Sequence, residues 1–289
     1  MATGAKARQE KRRASAKQMV EKHESGGSKA LRVPEAAKFF KFKKEGTYRL
    51  DFLPYDVKSA ANPTADKGSL GVCRPYYVHR DIGPGEDTYL CAAKTLGKPC
   101  PICEHRAKLA REGADDDVIK ALKPKERTLY NVIDTANRED GVQLLDYSDW
   151  LLGKYLRGKI EGADPKERDA FELYADLSEG MTVKIVTTEE KGAGGSWMVC
   201  NNIEFKPRDK QYEDEMLSKT FDLDAIISET PYEKLRAIFL QEPAATKDEP
   251  EDEPESPERA EIEFEWQLCV RRKWQYACGP VRGTVHMGV

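Results

Sequence analysis

The chain has no run of about 18 apolar residues, so no membrane-spanning helix is expected. Histidine is scarce, with 4 in 289 residues. No HExxH, no GxxxxGK[ST] and no His-x-Glu followed by Pro-Cys-x-x-Cys occurs, which removes the zincin, P-loop and deaminase patterns. The 7 cysteines are odd in number and no apolar signal segment opens the sequence, so a disulfide framework is not expected. Hydrophobic residues make up only 39% against 34% charged, which predicts a solvated or disordered fraction beside one or two cores. A soluble, cytoplasmic, non-enzymatic protein is expected.

What is present is a set of metal ligands. His79, Cys91, Cys100 and Cys103 read H-x11-C-x8-C-x2-C. Three thiolates and one imidazole complete a zinc tetrahedron and leave no position for water or substrate. One structural Zn2+ is therefore expected, acting as a staple. Pro99 and Pro101 stiffen the turn that carries the CxxC pair. Cys73 and His105 lie close enough in sequence to replace a ligand, whereas Cys200, in an apolar run, reads as a buried thiol.

The net charge of -4 hides a polarised distribution. Residues 1–50 carry fourteen Lys or Arg against five acids, while residues 246–265 carry ten acids against two bases. Opposite runs at the two ends suit a phosphate-seeking surface and an acidic segment that mimics the polyanion.

The chain divides into a basic arm (1–28), a folded core (29–240) with a zinc subdomain at about 72–123, an acidic linker or tail (241–265) and a basic C-terminal segment (266–289). In the arm, Lys11, Arg12, Arg13 and Ser15 precede a potential helix over 16–23. Strands are expected over 47–53, 72–78, 127–134 and 141–147, and a long hairpin over 181–187 and 196–205. Helices are expected over 104–112, 115–122, 150–160 and 232–240, with Trp150 in the core. The fold class is mixed and β-rich: an OB-fold core with an inserted zinc subdomain and a few short helices.

Such a barrel binds single strands with cations for the backbone and aromatic rings for the bases. The candidates are Tyr76, Tyr77, Tyr89, Lys94, Lys98, Lys123, Lys125, Arg127, Tyr130 and Trp197. A strand tyrosine is more often half-buried core than a base platform, and Lys125 and Arg127 also suit a solvated strand edge. A protein-binding zinc ribbon and a zinc-dependent nucleic-acid enzyme are the alternatives.

Taken in order, these features resemble the zinc-containing, helix-destabilising single-stranded DNA-binding proteins of tailed phages. The resemblance rests on residues 11–15 (KRRAS), 48–54 (YRLDFLP), the His-Cys-Cys-Cys spacing, the basic-aromatic Lys125, Arg127 and Tyr130, and Phe221-Asp222-Leu223. It implies an OB-fold with one zinc ion and cooperative coating of single-stranded DNA during phage replication, recombination and repair. It also implies self-association through Lys11, Arg12, Arg13 and Ser15, and recruitment of a polymerase, helicase, primase or loader by the acidic region. The location implied is the host cytoplasm. Two features depart from the family pattern: Ala14 interrupts the arm motif, and residues 266–289 follow the acidic stretch. In that last segment Cys269, Cys278 and His286 supply three potential ligands but no fourth.

Overall fold

Residues 128–134 are all buried, a pattern that only a strand covered on both faces can satisfy. They belong to a computed structural model that describes residues 28–192 and 195–241. The expected arm motif at Lys11, Arg12, Arg13 and Ser15, the acidic stretch and the C-terminal segment lie outside the described residues.

In chain order the elements are β1 (Gly46–Leu53), β2 (Tyr55–Asp56), β3 (Leu70–Gly71), β4 (Cys73–Ile82), β5 (Asp87–Leu90), α1 (Ala92–Leu96), α2 (Pro101–Arg111), α3 (Asp116–Ala121) and β6 (Lys125–Asp134). There follow β7 (Gln143–Ser148), a π-helical turn (Asp149–Gly153), α4 (Lys154–Glu161), α5 (Pro165–Glu172), β8 (Met181–Gly192), β9 (Gly195–Pro207), α6 (Leu223–Ile226) and α7 (Tyr232–Leu240).

A large antiparallel sheet of seven strands runs β5-β4-β6-β1-β8-β9, with β7 along the remaining edge of β6. β6 organises it. Its first half pairs with β4, from Val78 opposite Lys125 to Cys73 opposite Tyr130, and its second half pairs with β1, from Leu53 opposite Asn131 to Leu50 opposite Asp134. Because side chains alternate along a strand, β6 feeds two cores. Tyr130 and Val132 join Leu50, Phe52, Leu145, Val183, Ile185 and Phe205, while Leu129 joins Tyr76, Val78, Leu144 and Leu223. The outermost strands approach each other as well. The Tyr147 hydroxyl on β7 donates to the Met198 carbonyl on β9 at 2.5 Å, and Leu145 shares a core with Cys200. The sheet therefore curls around its first core.

Two buried charges are held in place by hydrogen bonds. Arg208, on the loop after β9, donates to the carbonyls of Phe52 (2.8 Å) and Tyr174 (3.1 Å). Asp51, fully buried in β1, accepts from the Thr182 hydroxyl at 2.5 Å and the Tyr212 hydroxyl at 2.7 Å. The polar positions of the alternating β1 sequence are thus partly internal, and hydrogen bonding offsets their desolvation.

Most expected strands are present, and the hairpin is longer than expected because β8 and β9 stay paired out to Gly192 opposite Gly195. Short helices exceed expectation: α1, α5 and α6 lie in stretches without a long apolar period. The first strand of the segment expected as a zinc subdomain, β4, pairs with β6 in the main sheet. Trp150 requires a correction. It is 71% exposed rather than core. The buried stripe of this segment is Leu152 and Leu156, and a residue two positions before Leu152 points to the opposite side of a helical turn.

Candidate functional site

The four expected ligands converge. Their donor atoms all lie within 4.8 Å of one another, forming a buried cluster that could bind a metal ion. Each is delivered by a different local device. His79 sits on β4 where the pairing with β5 shifts register, and a bulge of this kind re-aims the side chain. Cys91 follows β5, with its amide donating to the Tyr77 carbonyl at 2.8 Å, and it is the N-cap of α1. Cys100 is the N-cap of α2, Pro101 opens that helix, and Cys103 follows within its first turn. Proline is suited to this position because its missing N–H would have no helical partner. The amides at the start of α2 also favour thiolate at Cys100, which accepts from the Cys103 amide.

Cys91 Sγ lies 3.5 Å from Cys103 Sγ, and His79 Nε2 lies 3.5 Å from both Cys100 Sγ and Cys103 Sγ. The other ring nitrogen, His79 Nδ1, is 3.0 Å from the Leu122 carbonyl. A proton on Nδ1 fits that contact and leaves the Nε2 lone pair facing the sulfurs. His79, Cys91 and Cys100 are buried, and Cys103 is partly exposed. The thiols compete for ionisation. Hydrogen bonds from Cys103, Cys91 and His79 hold Cys100 far below the ordinary thiol range, whereas bonding to Cys100 and Cys103 drives Cys91 up. One anion is comfortable in this cluster. Three need a cation between them.

The alternative ligands are elsewhere. Cys73 Sγ contacts the Thr64 hydroxyl at 3.9 Å, and the His105 ring packs edge-on against Phe239 at 5.1 Å. Cys200 is a buried thiol, as expected. Two neighbours lock the module. Tyr77 is tied to α1 through its amide, which donates to the Thr95 hydroxyl at 2.9 Å. Gly83, in the β4–β5 turn at φ 72°, lies so close to α7 that a Cβ there would meet Ile238 Cγ2 at 2.7 Å. Glycine lets the closing helix pack on the metal module.

The residues expected to contact nucleic acid separate into two groups. Tyr76, Tyr89 and Tyr130 are 1%, 5% and 4% exposed, so their rings cannot offer a stacking face without unpacking a core. That expectation is corrected: burial of the large ring outweighs solvation of the hydroxyl. Tyr76 still finds a polar partner, donating to Asp146 Oδ1 at 2.9 Å. Arg127 is engaged by the same carboxylate at 2.9 and 3.1 Å and by the Asp146 carbonyl at 3.1 Å, so its guanidinium is committed inside the protein. Lys98 pairs with Glu229 at 2.6 Å. Lys94, Lys123 and Lys125 are exposed, Tyr77 is half-buried, and Trp197 is 40% exposed near the end of the hairpin.

One group escaped sequence reading. The Lys154 ammonium sits 3.4 Å from the Trp150 ring centre and 4.7 Å from that of Tyr155. Arg157, one turn further on, is held by a two-pronged pair with Asp149 at 2.6 and 2.7 Å. The π-helical turn and α4 both pack against β9, the strand that carries Trp197. The signal in the sequence was the placement of Trp150 outside the 152/156/160 stripe, with Lys154 four residues on. Comparison of the chain with protein-family models and with curated proteins finds no match.

Proposed function

We propose that the protein is a non-enzymatic single-stranded DNA-binding protein, built on an OB-type curled sheet and stapled by one zinc ion. The observation that carries this reading is Trp150, a 71% exposed indole with a lysine ammonium against its ring. An exposed indole leaves a large apolar face in water, and nucleic-acid bases are planar partners for such a face. The neighbouring β9 bears a second exposed indole, Trp197, so two platforms belong to adjoining elements. Lys154, Lys125 and Lys123 supply positive charge on the surrounding segments.

Zinc is the ion that the donor set favours. A tetrahedral ion with Zn–S near 2.3 Å and Zn–N near 2.0–2.1 Å spaces its ligand atoms about 3.5–3.8 Å apart. The 3.5 Å contacts among Cys91, Cys100, Cys103 and His79 suit that spacing. With four protein ligands the shell is complete, so zinc here supports the fold and gives substrate no place to bind.

Binding is passive. Phosphates displace counterions at the lysines, and unpaired bases stack on the indoles. Paired bases cannot splay onto these rings, which disfavours duplex. The arm at Lys11, Arg12, Arg13 and Ser15 supports self-association along the strand, and the acidic stretch suits recruitment of replication proteins. Titration with oligo-dT tests the reading. Binding is expected to quench tryptophan emission, with most of the Trp150 contribution removed in Trp150→Phe. An oligomer that leaves emission and anisotropy unchanged contradicts it, and a protein-binding zinc module then becomes the better account.

A further inference from the structure

A second surface, on the far helices of the metal module, has the chemistry of a phosphate and base site. α2 and α7 flank a cleft of about 300 Å3. Lys108 and Arg111 line it from α2, and Arg236 lines it from α7. Neither Arg111 nor Arg236 has an ion-pair partner among the described residues, and the Lys108 pair with Glu112 is long, at 3.9 Å. The apolar lining is largely ring: His105, Tyr232 and Phe239. The single acid in the cleft, Glu104, accepts from the Tyr232 hydroxyl at 2.5 Å, which ties it to the wall.

We infer that this cleft is an additional contact for single-stranded nucleic acid, holding phosphate between Arg111 and Arg236 and one base against the rings. The inference rests on the proposed function and adds a second contact to the one at Trp150. Three cations around a ring-lined cleft match a nucleotide, which joins a planar ring to an anion. An acidic protein segment is the competing occupant. A helical peptide needs a trough several turns long, and a cleft of about 300 Å3 lies at the small end of ligand sites. Arg111 and Arg236 are exposed on helix surfaces, so their charge is not part of the core.

The test uses the full zinc-loaded chain and labelled oligo-dT across a salt series. Arg111→Gln/Arg236→Gln is expected to make the slope of log affinity against log salt shallower by about 0.7, the value for the one phosphate that is no longer neutralised. Quenching of Trp150 at saturation stays, and Arg111→Lys/Arg236→Lys restores most of the slope. An unchanged slope with quenching intact overturns the inference and leaves the Trp150 reading standing. Absence of any binding by the wild type overturns the Trp150 reading, and this one with it. A variant-independent check is photocrosslinking of 5-iodouracil-substituted strand to wild-type protein. Adducts at His105, Tyr232 or Phe239 are expected, and adducts confined to other regions count against the cleft. Displacement of bound strand is also expected to be insensitive to poly-glutamate. A cleft that takes the acidic peptide and adds nothing to the salt slope is a protein-docking surface, contrary to the inference.

Discussion

The Nδ1 atom of His79 lies 3.0 Å from the carbonyl of Leu122, so the residue that ends α3 orients the imidazole of the metal cluster. The pairing joins two stretches of chain 43 residues apart and leaves Nε2 facing the sulfurs. Ligand geometry and the packing of α1 on β4 and of α3 on α2 are therefore one arrangement, and metal loss should be felt as loss of fold.

Cys103→Ser is expected to reduce metal content well below one ion per chain. It should also lower the melting temperature by about 10 °C or more, the shift for a loss of several kcal/mol in a domain of this size. Elemental analysis beside a thermal melt checks this. A variant that keeps wild-type stability without metal contradicts the staple.

Trp150→Ala should separate binding from folding. The ring is 71% exposed, so stability should change by less than about 0.5 kcal/mol. Affinity for oligo-dT should fall by about 1–3 kcal/mol, roughly 5- to 150-fold. Leu156→Ala, whose side chain is buried in the first core, should do the reverse and destabilise by about 2–5 kcal/mol. Paired urea melts and anisotropy titrations distinguish the two.

Arg74 and Asp224 form a buried ion pair at 2.8 Å, with side chains 1% and 5% exposed, that fastens α6 to β4. Asp224 also accepts from the amides of Lys58 and Ser59, at 2.9 and 3.1 Å. Arg74→Met leaves that carboxylate uncompensated and is expected to cost about 3–5 kcal/mol in denaturant unfolding. Arg74→Met combined with Asp224→Asn should recover part of the loss. If the double variant is no better than the single, the charge is not what makes the single variant unstable.

Asp176 accepts from the amides of Glu179 and Ser178, both at 2.8 Å, and from the Ser178 hydroxyl at 2.9 Å. The Glu179 amide is the main cause that holds its carboxyl below the ordinary value of 3.8. A depressed folded-state value contributes stability above the unfolded value, and that stability is lost as pH falls through the folded one. The stability advantage of wild type over Asp176→Ala should therefore be full near neutral pH and shrink on acidification below about 3.8. Urea midpoints measured across that range read it directly.

The metal cluster was legible in sequence because its information is local: H-x11-C-x8-C-x2-C fixes donor types and short loops. The β6 and β8–β9 strands were legible from apolar runs. The tyrosines were not, since Tyr76, Tyr89 and Tyr130 have the same local signature whether a ring faces a groove or a core, and the registers of β4 on β6 and of β5 on β4 decide which. Arg127 failed for the same reason, as Asp146 reaches it only through the β6–β7 pairing. Trp150 was misplaced because a large ring at a helix start reads as core, although it stands outside the buried stripe of Leu152 and Leu156.

Competition anisotropy with single- and double-stranded oligomers of equal length and sequence, at low and moderate salt, is the most direct measurement. The account predicts preference for the single strand by at least about tenfold and a steep fall in affinity as salt rises, near 0.7 log units per neutralised phosphate for each decade of salt. Equal affinity for both forms, or affinity independent of salt, would contradict it.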